Sequence, residues 1–125
     1  TLGSASALTK KVASRKQEPE ENWSGYRIFE QAEQGDLLCC NAIDEMVDVL
    51  GQGIANICYV IDPETVVLGG GILAQEAYLR DKIQASVNQY LIDSIASRIK
   101  ITFAKHKNNA GMLGAFYHFR NRREE

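Results

Sequence analysis

The sequence predicts an α/β fold, and three observations carry that expectation. Apolar residues recur every three or four positions from Ile43 to Ile61, the period of a helix with one buried side. "ETVVLGG" (residues 64–70) is a β-branched run without polar alternation, the pattern of a parallel strand covered on both faces. "RIKITFAK" (residues 98–105) reads as a second strand, one helix-length of chain further on. A right-handed crossover through that helix makes the two strands parallel.

Each element follows from local chemistry. Residues 4–16 read as a helix with a serine N-cap and Ala5, Leu8 and Val12 on one face. The polar stretch 17–25, with Pro19 and Gly25, is a surface loop in which Trp23 packs against the neighbouring helices. A short helix over 25–34 is capped by Ser24, stopped by Gly35 and striped by Ile28, Phe29 and Ala32. Asp36 is well placed to cap the long helix that runs to "IDP", where Pro63 forces the exit. Gly51 and Gly53 lie inside that helix at a cost of ~1 kcal/mol each, which points to tight packing against a neighbour. Residues 75–92 carry Leu79, Ile83, Val87 and Leu91 on one side. "NNAGMLGAFYHF" (108–119) is expected to be a final helix with Gly111 and Gly114 as a smooth surface.

The chain is thus one domain or fragment, 1–125, with a helical segment (1–61) followed by a β-α-β-α segment (62–125). Two parallel strands make an incomplete sheet, because both edges and much of the apolar faces stay open. The missing strands are expected upstream in a longer protein, or from a partner. The opening Thr-Leu-Gly-Ser, without methionine, fits such a piece as well as it fits processing.

Composition excludes several classes. The 125 residues carry a net charge of −2, and their basic clusters are short, which does not advertise a nucleic-acid surface. No apolar run approaches the ~18 residues of a membrane span, and no signal peptide opens the chain, so a cytoplasmic location is expected. Cys39, Cys40 and Cys58 lack metal-ligand spacing and read as reduced, mostly buried thiols. Asp44, Glu45 and Asp48 read as a solvated helix face rather than a metal site. His106 and His118 read as surface or packing residues.

"VVLGGGI" (66–72) carries the functional signal. One glycine would satisfy a tight turn, whereas three at a strand end let a phosphate or sugar edge approach bare peptide near a helix N-terminus. Gly69, Gly71 and Ala74 match the dinucleotide pattern G-x-G-x-x-[GA], but the next strand ends in Lys105, His106 and Lys107 where a ribose-holding acid is required. A phosphate loop of the Gly-Lys-[Ser/Thr] type is excluded. The third candidate is the actin-like fold of sugar kinases.

"ANICYVIDPETVVLGGGI" (55–72), "NNAGMLGA" (108–115) and the opening "GSASAL" (3–8) together resemble the C-terminal part of the ROK family, named for repressors, open reading frames and kinases. The resemblance implies the C-terminal part of an actin-like, ribonuclease-H-like ATPase domain, with parallel strands flanked by helices. It implies an ATP-dependent, glucokinase-like transferase acting on a hexose, or alternatively a sugar-responsive transcriptional regulator. By the resemblance, Gly69, Gly70, Gly71 and Ile72 contact the nucleotide, and Ala110 and Gly111 wall the adenine. ATP with magnesium would serve the full-length parent, and the sugar would bind through the upstream lobe. No catalytic residue is expected here, because the Asp-x-Gly-x-Thr phosphate loop, the Asn-Asp base and the zinc cluster of the family are absent. A homodimer is implied, and DNA is a partner only if a helix-turn-helix precedes this segment. The chain alone is expected to be inactive.

Overall fold

The computed structural model describes residues 5–70, 74–104 and 113–119. Helix α1 spans Ala5–Lys16, α2 Gly25–Glu33 and α3 Leu37–Ile61. Strand β1 (Pro63–Gly70) leads through α4 (Glu76–Tyr90) and the short α5 (Asp93–Ala96) to β2 (Lys100–Phe103), and β3 is Leu113–Phe119.

The helix boundaries have local causes. Ser24 Oγ accepts a hydrogen bond from Arg27 N at 3.1 Å and starts α2. The Asp36 carboxylate accepts from the peptide N–H groups of Leu38 and Cys39 and starts α3. Gly35 makes the turn between them at φ 99°, where a side chain would be strained. Asp62 ends α3 in the left-handed conformation (φ 54°), and Pro63 opens β1. Tyr59 ties the end of α3 to the α4–α5 joint: its hydroxyl donates to Tyr90 O and accepts from Ile92 N at 2.9 Å.

The sheet has strand order β2-β1-β3. β1 and β2 are parallel, with Val66 opposite Ile101 and Leu68 opposite Phe103. The crossover is split, since Leu91 and Ile92 separate α4 from α5 where one helix was expected. The expected final helix is overturned over residues 113–119, which form a strand antiparallel to β1. "AFYHF" is aromatic-rich and suits an extended chain, and pairing it satisfies the otherwise open backbone edge of β1. Gly114 accordingly lies opposite Gly69 in this ladder and not on a helix surface. Residues 105–112, which hold the start of that expected helix, lie outside the described residues.

The core lies between the helices and one face of β1. Val66 and Leu68 are fully buried, whereas Thr65 and Val67 on the other face are only half-buried, so the expectation of two covered faces holds for one. α3 contributes Ile43, Met46, Val47, Leu50, Ile54 and Cys58 to the core. Its predicted stripe drifts at the end: Cys58 is buried, Ile57 half-buried and Ile61 exposed. Residues at i and i+4 keep to one side of a helix, and 54 to 58 is that step.

α4 crosses α3 at Gly51, where a Cβ would overlap Ser86 Oγ and lie 2.9 Å from the Ser86 carbonyl carbon. Ser86 Oγ donates to Val47 O at 3.1 Å in the same crossing. Gly53 has nothing within 4 Å of a Cβ, so the expectation of tight packing is right at 51 and wrong at 53. Gly51→Ala should therefore lower the unfolding free energy in urea by about 3 kcal/mol through overpacking. Gly53→Ala should raise it by up to about 1 kcal/mol through helix propensity. Equal effects of the two would mean that α3 and α4 do not meet at Gly51.

Candidate functional site

Among the described residues, the expected ligand contacts Gly69 and Gly70 lie at the carboxyl end of β1, beside that of β2. Leu68 O accepts from Ala104 N at 2.8 Å, and this bond carries the ladder one residue past Phe103. Next along β1, Gly69 pairs with Gly114, then Gly70 with Leu113. Gly69 is buried within this ladder. Paired glycines leave the sheet without Cβ atoms at that level, on both strands. Gly71, Ile72, Ala110 and Gly111 lie outside the described residues.

α4 begins beside this end. Its N-cap, Gln75, makes no side-chain capping bond. One turn into the helix, the Arg80 guanidinium lies 5.3 Å from the centroid of the Phe103 ring and is ion-paired with Glu76. Neither Arg80 nor Phe103 belongs to a motif in the sequence. The available signal was the position of Arg80, one turn inside the helix that follows the glycine loop. At the opposite end of the sheet Arg98 pairs with Asp62 at 3.3 Å, joining the starts of β1 and β2.

The other candidates have structural partners. Glu45 receives both guanidinium nitrogens of Arg15, at 2.6 and 2.8 Å, and Lys11 at 3.4 Å. Asp44 pairs with Lys82, and Asp48 accepts from the Tyr90 hydroxyl at 2.5 Å. These carboxylates are exposed as expected, yet they also tie α3 to α1 and α4. Among the described residues no group of three His, Cys, Asp or Glu is placed to hold a metal. Trp23 is buried, donates from Nε1 to Glu18 and lies 4.3 Å from the Arg27 guanidinium, a packing role. His118 falls on β3 opposite Thr65, and His106 lies outside the described residues.

Burial pushes the Cys39 thiol up to about 11 and raises that of Cys58 as well, so both are protonated at neutral pH. The three cysteines are free. Tyr78 is pushed up to about 12 by burial and by its contact with Cys40. None of these groups is poised as a nucleophile or base.

The comparisons with known proteins bear on the family and the fold. A solved structure from Cytophaga hutchinsonii, described as a candidate sugar kinase, matches with a TM-score of 0.61 at 27% identity, over 72% of this chain and 30% of that one. The architecture is that of part of an actin-like ATPase domain. The profile of the ROK family matches residues 1–122, and the chain belongs to the ROK family. An uncharacterized protein of Clostridium perfringens is 47% identical over 95% of this chain and 40% of its own length. A beta-glucoside kinase of Klebsiella pneumoniae is 31% identical over 81% of this chain and 32% of its own. Other relatives include a glucokinase of Thermotoga maritima and a xylose repressor of Caldicellulosiruptor bescii, each 30% identical over 70% of this chain. The chain spans 40% or less of the length of each of these relatives. No helix among the described residues is long and apolar enough to cross a membrane.

The Glu45 clamp is open to test by pH. Hydrogen bonding to Arg15 holds the Glu45 carboxyl down at about 2, below the usual carboxylate range. Its stabilising contribution is therefore complete above roughly pH 5 and is lost as pH falls toward 2. Thermal melts should show wild type above Glu45→Gln at neutral pH, with the gap closing in that window. The gap should also shrink in 1 M salt, since the pair is solvent-exposed.

Proposed function

We propose that this chain is the nucleotide-supporting part of an ATP-dependent sugar kinase of the ROK family, acting in the cytoplasm as a homodimer. The observation that carries this reading is the side-chain-free end of β1, Gly69 and Gly70 opposite Gly114 and Leu113, at the carboxyl edge of parallel strands. Ligands of open α/β sheets bind at that edge. A flat base or sugar edge fits there, because no Cβ holds it away from the peptide.

Gly69 is walled within the ladder, so a ligand would meet the strand from Gly70 onward. Gly71 and Ile72 would continue along the adenosine, and Ala110 and Gly111 would wall the adenine. ATP with magnesium, when bound, supplies the phosphoryl group for transfer to a sugar hydroxyl. The residues of this chain bind and orient. Val66 and Leu68 hold β1 from beneath, and its stiffness fixes where the base can rest. The base that takes the sugar proton, the phosphate loop and the sugar contacts would belong to the part of its relatives that this chain does not span.

A second reading has its own support in the xylose repressor among the relatives. In that case the same segment would belong to a sugar-responsive regulator that phosphorylates nothing, with DNA as a partner through a separate helix-turn-helix.

A coupled phosphorylation assay on the full-length parent, across hexoses and β-glucosides, separates the two. Turnover of at least one sugar with ATP is expected, and none from the 125-residue chain alone. Gly70→Val in the parent should raise KM for ATP by about tenfold or more, the effect of misplacing a bound group by the width of a side chain. KM for the sugar should change little. No turnover on any sugar, together with sugar-dependent DNA binding, would establish the regulator instead.

A further inference from the structure

Resting on the reading that a nucleotide lies at the end of β1, we infer that Arg80 holds its purine base by stacking, with Phe103 as the residue that positions the guanidinium. Phe103 is the last residue of β2 and pairs with Leu68, the residue before Gly69. Its ring is buried at 8% exposure, and the Arg80 guanidinium lies over it at 5.3 Å, within the range of a cation–π contact. The Arg80 side chain nonetheless remains 55% exposed, so the guanidinium is held against the ring and still presents surface outward.

Two features favour a base over a phosphate as the occupant. Glu76, one turn earlier on α4, pairs with Arg80 and offsets its charge, which would weaken attraction to a polyphosphate. At the neighbouring level of the ladder Gly69 and Gly114 carry no side chain, and Gly70 continues β1 past them as bare peptide. A planar guanidinium backed by an aromatic ring and flanked by bare peptide suits a flat, neutral heterocycle. Arginine also stacks on rings where lysine cannot, because its charge is spread over a plane.

The test reads binding rather than turnover. Calorimetric titration of the full-length parent with adenosine, ATP and inorganic tripolyphosphate is compared for wild type, Arg80→Ala, Arg80→Lys and Phe103→Leu. Arg80→Ala should weaken adenosine and ATP alike, by about tenfold, and leave tripolyphosphate unchanged. Arg80→Lys should recover little of the loss, and Phe103→Leu should reproduce part of it. Arg80 is on the surface, so its variants should melt at the wild-type temperature without ligand. A loss confined to ATP and tripolyphosphate would overturn the stacking role in favour of a charge contact. Unchanged binding in both Arg80 variants would overturn it outright. Wild type that binds neither adenosine nor ATP would overturn the nucleotide reading itself, and the role of Arg80 with it.

Discussion

The close crossing of α3 and α4 at Gly51 and Ser86 is the constraint on which the rest of the structure depends. The two helices approach until the bare backbone of one meets the serine of the other, and Ser86 Oγ donates to Val47 O inside the contact. A buried hydroxyl without a partner would cost 1–3 kcal/mol, so the crossing distance and this bond stand or fall together. α4 is the crossover between β1 and β2, and its position over α3 determines where the crossover leaves and rejoins the sheet. Val66 and Leu68 are buried in the same core as Leu79, Ile83 and Val87 of α4.

Around this crossing the charged residues act as ties. Arg15 and Lys11 bind α1 to Glu45, Lys16 binds Asp36 at 2.6 Å, and Lys82 and Tyr90 bind α4 to Asp44 and Asp48. Exposed pairs are worth little individually, and the buried apolar stripes carry most of the stability. These acids and bases are committed to one another, and the buried thiols of Cys39 and Cys58 are kept protonated. What the described residues offer a ligand is shape: peptide without side chains and a guanidinium braced on a ring. That suits the proposed role of orienting a nucleotide, with the reacting groups expected in the part of the relatives that this chain does not span.

Local chemistry determined much of this. The serine and aspartate caps, the glycine and proline stops, the core stripes of α2 and α4, the parallel relation of β1 and β2 and the membership of the ROK family were all legible in the residues. Caps, helical periods and crossover handedness depend on neighbours a few positions away, and a linear reading contains those neighbours. The candidate site was legible only as a glycine run, since Gly69 and Gly70 advertise an absence of side chains wherever they occur.

Tertiary structure decided what depended on distant partners. Gly51 and Gly53 look alike in the sequence, and only the path of α4 makes one a crossing point and the other open surface. Gly111 and Gly114, just before "AFYHF", have the spacing of a smooth helix surface, yet the unpaired edge of β1 draws residues 113–119 into a strand. Arg80 becomes noteworthy only because β2 ends with a ring beneath it, 23 residues further along the chain. In each case the deciding energy is a contact between segments that the chain has to fold to bring together, and no pattern along the sequence encodes that meeting.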